Sequence, residues 1–167
     1  MIFNFSTIDA NFDVIKQSSQ WYNLVNEFKK AKKIGYIGHG GNLAIADHAS
    51  IDAARLTGKQ TFSLGSAIWC TSLINDHKEK WISKWIGMID ADLVILFTAS
   101  ATDEAFDIAV DYCIQKHINY CVISGVDKFA KQIHLNLLTY HEYEVAALAL
   151  TYEIINAGGY HCPEIKQ

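Results

Sequence analysis

The chain has 167 residues, half of them hydrophobic, a formal net charge of -4 at pH 7 and a pI near 5.9. This length and apolar content suffice for one sizeable core but not comfortably for two, so we expect a single domain over residues 1–167. A net negative charge argues against a nucleic-acid-binding surface, which would show clustered Lys and Arg. The basic cluster at residues 29–33 is typical of the solvated end of an amphipathic helix.

The cysteine and hydropathy patterns favour a cytoplasmic protein. The four cysteines show no C-x-x-C spacing, and Cys113 and Cys121 fall inside apolar segments, so we expect reduced, buried thiols. Residues 1–5 lack a basic region followed by an apolar run. No stretch approaches the roughly 18 to 20 apolar residues of a membrane span, so we expect no membrane association.

The first 32 residues predict a helical leader ahead of an α/β core over residues 33–167. Apolar residues recur at mostly helical spacing between residues 8 and 32, with Lys and Glu between them. This pattern indicates one or two amphipathic helices. Such a leader can cover a sheet face or pair with another subunit, and the sequence leaves both open.

A strand, a glycine loop and a helix are predicted next. Residues 33–38 are short and apolar, as in a buried parallel strand, and Gly38-His39-Gly40-Gly41-Asn42 follows directly. We expect Asn42 to cap a helix over residues 43–56 and Gly58 to end it. Amides and the dipole at that helix start favour an anion, so the loop predicts a phosphorylated ligand, with a tight structural turn as the alternative.

Two familiar phosphate-binding loops do not match this one. A P-loop needs a Lys that reaches the terminal phosphates, and no Lys stands in this loop. The dinucleotide fingerprint finds its first two glycines in Gly38 and Gly40, but Leu43 occupies the third position. Nucleotide hydrolysis and nicotinamide chemistry are therefore not predicted.

The remaining chain alternates strand and helix patterns. Further strands are predicted over residues 60–64, 91–97, 119–124 and 132–138, and helices over residues 66–74, 81–88, 104–117 and 142–157. Asn75-Asp76-His77 is expected to break the first of these helices. Because the connections are too long for hairpins, we predict an α/β three-layer sandwich with a flavodoxin-like, five-stranded parallel sheet. Ligands bind such sheets beyond the carboxyl ends of the strands, where the strand order reverses.

A hydroxyl-rich loop, Thr98 to Glu104, follows the predicted strand over residues 91–97. It should meet the glycine loop at the carboxyl edge of the sheet, with hydroxyls on one side and amides on the other. Several such hydrogen bonds hold a phosphate without a Lys. The alternative is an ordinary Ser/Thr cap on the following helix.

These segments resemble the sugar isomerase (SIS) domain family, and within it the phosphoheptose isomerase branch, over most of the chain. That branch has Gly-Asn-Gly-Gly-Ser, a His six residues after the Ser, a Glu four residues later, and then Thr-Gly. The corresponding segments here are Gly38-His39-Gly40-Gly41-Asn42, His48, Asp52 and Thr57-Gly58, with Ile74-Asn75-Asp76 for the branch's Gly-Asn-Asp and residues 98–103 for its hydroxyl loop. The resemblance implies the SIS fold with its helical leader.

The resemblance also implies that a sugar phosphate binds between the two loops. The implied substrate and phosphate contacts lie in the glycine loop, in the hydroxyl-rich loop and between them. They are Gly40, Gly41, Asn42, Asp76, Thr98, Ser100 and Thr102. For catalysis it implies Asp52 as the base and His48 as its partner or as a ligand. These two side chains, four residues apart, would share one helix face. A His satisfied by its own helical neighbour is the alternative.

The closing helix departs from the branch's pattern. In the resembling isomerases the Glu and a His of that helix exchange protons between adjacent carbons, and a metal is often held by the His, the Glu, and a Gln and His of that helix. Residues 142–155 contain neither His nor Gln. His48 and Asp52 give two ligands where zinc takes three or four, so we expect no cofactor, no stoichiometric zinc, and weak or no isomerisation of sedoheptulose 7-phosphate. Candidates for the missing groups are His141, Glu144 and His161.

Two classes of function follow. The first is a sugar-phosphate aldose/ketose isomerase similar to phosphoheptose isomerase, and the second is a non-catalytic SIS module that binds a phosphosugar or a protein partner. A homo-oligomer, tetramer or dimer, is expected because large aromatic residues are favoured at interface cores. The residues behind this expectation are the four tryptophans Trp21, Trp69, Trp81 and Trp85.

Overall fold

The structure is a computed structural model that describes residues 4–164. Residues 1–3 of the predicted leader and residues 165–167 of the predicted core lie outside the described residues. The prediction of a single domain over residues 1–167 therefore extends beyond this range. The expectation that residues 1–5 carry no targeting signal also rests partly on residues outside this range.

Helices and strands alternate along the described residues. The helices are α1 (Phe5–Lys16), α2 (Ser19–Lys30), α3 (Gly41–Thr57), α4 (Ala67–His77), α5 (Trp81–Ile89), α6 (Glu104–Lys116) and α7 (Tyr140–Ala157), with a short 3-10 turn at Lys78–Lys80. The strands are β1 (Lys33–Gly38), β2 (Gln60–Phe62), β3 (Leu93–Thr98), β4 (Asn119–Ser124) and β5 (Gln132–His134). The predicted leader forms two helices.

The five strands form one parallel sheet in the order β2-β1-β3-β4-β5. This confirms the predicted α/β architecture with a five-stranded parallel sheet. The strand order reverses between β1 and β3, where Gly38 pairs with Phe97 and the next residue, Thr98, pairs with Ser124. The loops that follow β1 and β3 therefore leave the sheet side by side at its switch point.

Helices cover the sheet on both faces. One apolar layer joins α1, α2, α3 and α7 to the sheet, and the other joins α4, α5 and α6. Every residue of β3 is buried, as expected for a central strand of a parallel sheet. The leader contributes Phe12 and Phe28 to the first layer, so α1 and α2 cover a sheet face of their own chain.

The start of α3 differs from the prediction. Asn42 does not cap the helix: Gly40 is the capping residue, with a φ of 62°, and α3 begins at Gly41. The left-handed turn at Gly40 lets the chain enter the helix before Asn42, which lies in its first turn. The Oδ1 atom of Asn42 has no hydrogen-bond partner among the described residues. Gly58, with a φ of 70°, ends the helix as predicted.

Several other boundaries shift by one or two residues, and two differ by more. Asn75-Asp76-His77 does not break α4, which continues to His77 and ends at Lys78 with a φ of 51°. Leu73, 3% exposed, packs in the core and anchors this last part of the helix. Strand β5 has three residues rather than the predicted seven over residues 132–138. An edge strand has a neighbouring strand on one side only, so fewer backbone hydrogen bonds hold it in the extended conformation.

Three of the four tryptophans belong to the core, so the interpretation that they need a subunit interface is wrong for these three. Trp21, Trp81 and Trp85 are at most 5% exposed, whereas Trp69 is 54% exposed. Gly35 in β1 makes room for Ile89 and Trp85, because a Cβ there would lie 2.5 Å from Cδ1 of Ile89 and 3.3 Å from Cη2 of the indole ring. The oligomeric state stays a prediction.

Burial also determines the state of the cysteine side chains. Cys70, Cys113 and Cys121 are buried and free, as the sequence predicted for the latter two, and Cys162 is exposed. Burial raises the pKa of Cys113 and of Cys121 to about 12, so both stay as thiols at neutral pH.

Within residues 4–164, no helix combines the length and the apolar character needed to cross a membrane.

Candidate functional site at the switch point

The glycine loop after β1 brings backbone close to the start of α3. A Cβ on Gly38 would collide with the backbone carbonyl group of Asn42, so only glycine permits this turn. Gly40 and Gly41 are exposed, and the amide of Leu43 donates to Gly40 O at 3.0 Å. Apart from the side chain of His39, the loop thus presents mainly backbone at the carboxyl edge of the sheet.

A carboxylate of the chain itself lies at this helix start. Oε1 of Glu144, on α7, occupies the position where a side chain on Gly41 would begin. A negative charge at a helix N-terminus is favoured by the helix dipole. A phosphate bound at the first turn of α3 would therefore face the Glu144 carboxylate, which disfavours Gly41 as a direct phosphate contact.

The loop after β3 is held in shape by its own hydrogen bonds. Thr98 is buried, and its Oγ1 accepts from the amide of Ala101 at 3.0 Å. Ser100 Oγ and Thr102 Oγ1 lie 3.0 Å apart at the surface of the loop. Asp103 caps α6 by accepting from Ala105 N at 2.9 Å, so the cap is a carboxylate and not one of these hydroxyls. The hydroxyls of Ser100 and Thr102 bond each other.

His39 connects the two loops. Its Nδ1 lies 3.3 Å from Oδ2 of Asp103, and its ring meets the ring of Trp81 edge-on with centroids 5.8 Å apart. The imidazole therefore stands between the glycine loop and the cap of α6. The side chain is 52% exposed, which leaves it open to a ligand at the switch point.

A lysine also reaches the loop after β3. Lys128 Nζ donates to Ala101 O at 3.0 Å and pairs with Asp107 at 2.7 Å. Its ammonium group thus lies against the same loop as Ser100 and Thr102. This lysine belongs to no motif of the sequence, and 27 residues separate it from Ala101.

A second cluster lies between α3 and α7. His48 Nε2 is 2.8 Å from the hydroxyl of Tyr152 and 3.1 Å from Oδ2 of Asp52. The Tyr152 hydroxyl donates to the same Oδ2 at 2.9 Å, and Arg55 Nη1 donates to Oδ1 at 2.9 Å. The structure thus brings His48 and Asp52 together and adds two residues that the resemblance did not imply.

The position of Tyr152 determines its protonation state. Burial, the hydrogen bond to Asp52 and the charge of that carboxylate raise the pKa of Tyr152 to about 12. The phenol therefore keeps its proton through the neutral range and acts as a donor. His48 remains accessible, since its side chain is 54% exposed against 14% for Asp52.

The other predicted residues lie apart from this cluster. Asp76 is exposed on α4, and among the described residues no hydrogen bond or ion pair joins it to another predicted site residue. His141 and His161, candidates for the missing groups, likewise make no such bond with His48 or Asp52 within that range. Glu144 reaches Gly41 instead.

The side chains around His48 do not fit a zinc ion. The third and fourth members of the cluster are a phenol that keeps its proton and a guanidinium group, and a cation is repelled by the charge of Arg55. No group of three or more His, Cys, Asp or Glu side chains that could hold a metal occurs in the described part of the chain. A tight zinc site takes three or four such ligands.

We expect purified protein to carry far less than one zinc per chain. Elemental analysis after dialysis measures this directly, and His48→Gln serves as a matched variant. One zinc per chain that is lost in His48→Gln would contradict the prediction. It would mean that another subunit, or a rearrangement of His141, Glu144 or His161, supplies the missing ligands.

Comparisons with known proteins identify the fold. No family profile matches the sequence, and no curated protein matches it either. Among solved structures, a phosphoheptose isomerase from Francisella tularensis aligns with a TM-score of 0.68 and 11% identity, covering 92% of each chain. The phosphoheptose isomerase GmhA from Neisseria gonorrhoeae aligns with a TM-score of 0.68 and 14% identity, covering 93% of this chain and 94% of its own.

The chain therefore has the SIS fold of the phosphoheptose isomerases. This confirms the resemblance read from the sequence at the level of the fold. At 11% to 14% identity the likeness shows the fold alone. The roles of individual residues depend on the geometry described above.

Proposed function

We propose that the protein binds a sugar phosphate at the switch point and is a sugar-phosphate aldose/ketose isomerase similar to phosphoheptose isomerase. The observation that carries this proposal is the alignment with two phosphoheptose isomerases over more than nine-tenths of every chain. A fold supports many functions, so the local chemistry must agree with it. The two loops and the His48 cluster supply that chemistry.

The phosphate is proposed to bind at the loop after β3. Ser100 and Thr102 offer hydroxyl groups there, and the ammonium group of Lys128, which pairs with Asp107 at 2.7 Å, lies 3.0 Å from the carbonyl of Ala101 and can also donate to a phosphate. The hydroxyls would exchange their mutual bond for bonds to the phosphate. The carboxylate of Asp103, which caps α6, opposes the dianion and should limit its affinity.

A second candidate is the non-catalytic module that binds a phosphosugar or a protein partner. The observation that favours it is the state of Asp52, whose two oxygens already have Arg55, Tyr152 and His48 as partners. A carboxylate that abstracts a proton from carbon must give up one of these bonds. Under both candidates we infer a homo-oligomer, dimer or tetramer, and the exposed Trp69 is the tryptophan that still supports it.

We expect sugar phosphates to bind and the unphosphorylated sugars not to bind. Calorimetry with heptose, hexose and pentose phosphates and the matching free sugars measures the difference. Lys128→Met should weaken phosphate binding about tenfold or more, since a hydrogen bond to a charged group contributes about 1.5 to 3 kcal/mol.

Lys131→Met is the control for this experiment. Its Nζ lies over the ring of Tyr120 at 5.2 Å, away from the hydroxyl loop, so its removal should leave binding unchanged. Equal affinity for a sugar and its phosphate would contradict the proposed site. An equal loss in both lysine variants would indicate general electrostatic attraction rather than contact.

A further inference from the structure

The hydrogen bonds around His48 determine which of its ring nitrogens carries a proton. The Tyr152 hydroxyl has a single proton, and it lies between the phenol oxygen and Oδ2 of Asp52 at 2.9 Å. An ionised carboxylate has no proton to give, so the phenol must be the donor in this contact. The same phenol oxygen lies 2.8 Å from Nε2 of His48. Because its proton is already used, the phenol can only accept there.

Nε2 of His48 is therefore the protonated nitrogen of the neutral ring. Its N–H points to the phenol oxygen and to Oδ2 of Asp52, 3.1 Å away. Nδ1 then holds a free electron pair. Among the described residues no hydrogen bond involves Nδ1, and the side chain is 54% exposed. Nδ1 is thus a basic nitrogen without a hydrogen-bond partner among the described residues, on a side chain that is more than half exposed.

We propose, building on the proposed isomerase function, that His48 exchanges the substrate proton through Nδ1, while Asp52 and Tyr152 are positioning residues that hold Nε2. The arrangement follows the logic in which a carboxylate fixes the tautomer of an imidazole and the opposite nitrogen does the acid–base work. This reverses the roles that the resemblance implies for Asp52 and His48.

His48 and Asp52 differ both in solvent exposure and in the hydrogen bonds that they already make. Asp52 is 14% exposed and holds Arg55 on Oδ1 and two donors on Oδ2, so approach to a carbon-bound proton would break an existing bond. His48 needs no such rearrangement at Nδ1. Histidine is also the side chain that most often acts as a general acid or base, which suits a group that takes up and returns a proton.

The proton transfer balances without any other reactant. Nδ1 takes the proton from the carbon next to the sugar carbonyl, and the C–H electron pair forms the carbon–carbon double bond of an enediolate. The carbonyl π pair moves to its oxygen. Return of the proton from His48 to the neighbouring carbon, with exchange of the hydroxyl proton between the two oxygens, yields the isomeric sugar phosphate. No electrons are gained or lost overall.

The charges that face this pair come from three segments. Asp52 and Arg55 lie on α3 with His48, and Tyr152 faces them from α7. Cys162, in the segment after α7, also interacts electrostatically with Tyr152. Exchange rates of all variants are therefore compared at one pH, and Cys162→Ser removes the thiol from the site.

The first test is nitrogen-15 NMR of the full chain without substrate. We expect the tautomer with the proton on Nε2 for neutral His48, and a shift toward the tautomer with the proton on Nδ1 in Asp52→Asn, whose amide can donate to Nε2. Tyr152→Phe should keep the Nε2 proton, because Asp52 still accepts it. A proton on Nδ1 in the unaltered protein would overturn the proposal, whatever the protein does with sugar phosphates.

The second test is exchange of the carbon-bound proton with deuterated water, using the heptose, hexose and pentose phosphates. We expect slow exchange with at least one of them. It should fall about 100-fold or more in His48→Gln and in Asp52→Asn, and about tenfold in Tyr152→Phe, with calorimetric affinity unchanged. His117→Asn, at the end of α6, is the control.

The outcomes separate this proposal from the proposed function. If exchange survives in His48→Gln and is lost in Asp52→Asn, Asp52 is the base and the isomerase function stands without the proposed role of His48. If sugar phosphates bind but none exchanges, the proposal fails and the non-catalytic module is supported. If none binds, the proposed function fails and the proposal with it.

Discussion

Replacing Trp85 with alanine is expected to lower the free energy of unfolding by about 3 to 5 kcal/mol, as for other large-to-small core substitutions. The indole is 5% exposed and packs over Gly35 in the second apolar layer. Its loss leaves a cavity that the neighbouring strand and helix fill only in part. Denaturation by urea measures the change as a lower midpoint.

Trp69→Ala is the matched control for this substitution. Its side chain is 54% exposed on α4, so its removal should change the stability of the isolated chain by about 0.5 kcal/mol or less. Light scattering on the same variant tests the inferred homo-oligomer: a smaller assembly would assign Trp69 to the interface. Similar losses of stability in both variants at a concentration where the chain is monomeric would contradict the division into core and surface tryptophans.

Replacing Gly38 with alanine is expected to destabilise the fold by at least about 3 kcal/mol, because the added Cβ meets backbone rather than a movable side chain. The atoms in its way are the carbonyl carbon and oxygen of Asn42, in the first turn of α3. Relief requires a shift of the helix start against β1. We expect poor folding, seen as a lower thermal midpoint and a lower yield of folded protein.

Gly65→Ala separates this clash from ordinary glycine strain. Gly65 has a φ of 62° and open space around the position of a Cβ, so alanine there should cost only about 1 to 2 kcal/mol of left-handed strain. A Gly38→Ala variant that is no less stable than Gly65→Ala would contradict this prediction. It would show that the turn after β1 can accommodate a Cβ and that glycine is not required there for close packing of the backbone.

The sequence predicted the central elements well because their signals are local. The apolar run over residues 91–97 corresponds to β3, and residues 119–124 to β4. Apolar run length and helical spacing depend only on neighbouring residues, so one chain suffices to read them. Boundaries were predicted less accurately: α4 continues through the expected break at residues 75–77, because Leu73 packs in the core.

The candidate site was predicted in part. The His48 and Asp52 pairing follows from a spacing of four on one helix, which is a local property. Asn42 as a cap was wrong, because the left-handed conformation of Gly40 starts the helix earlier. Lys128 belongs to no motif, and only its position beside Ala101 shows that it reaches the loop after β3. His39 lies within the glycine motif, but only the structure shows its contact with Asp103.

The sequence by itself determined the alternation of strands and helices, the parallel sheet and the glycine and hydroxyl loops, since each depends on short-range patterning. Only the tertiary structure determined which residues from distant parts of the chain come into contact. Tyr152 reaches Asp52 from 100 residues away, and Glu144 comes to lie at Gly41. Such contacts arise from the packing of α7 against α3, which no local pattern encodes. The protonation of His48 depends on them, and so does the chemistry proposed for the site.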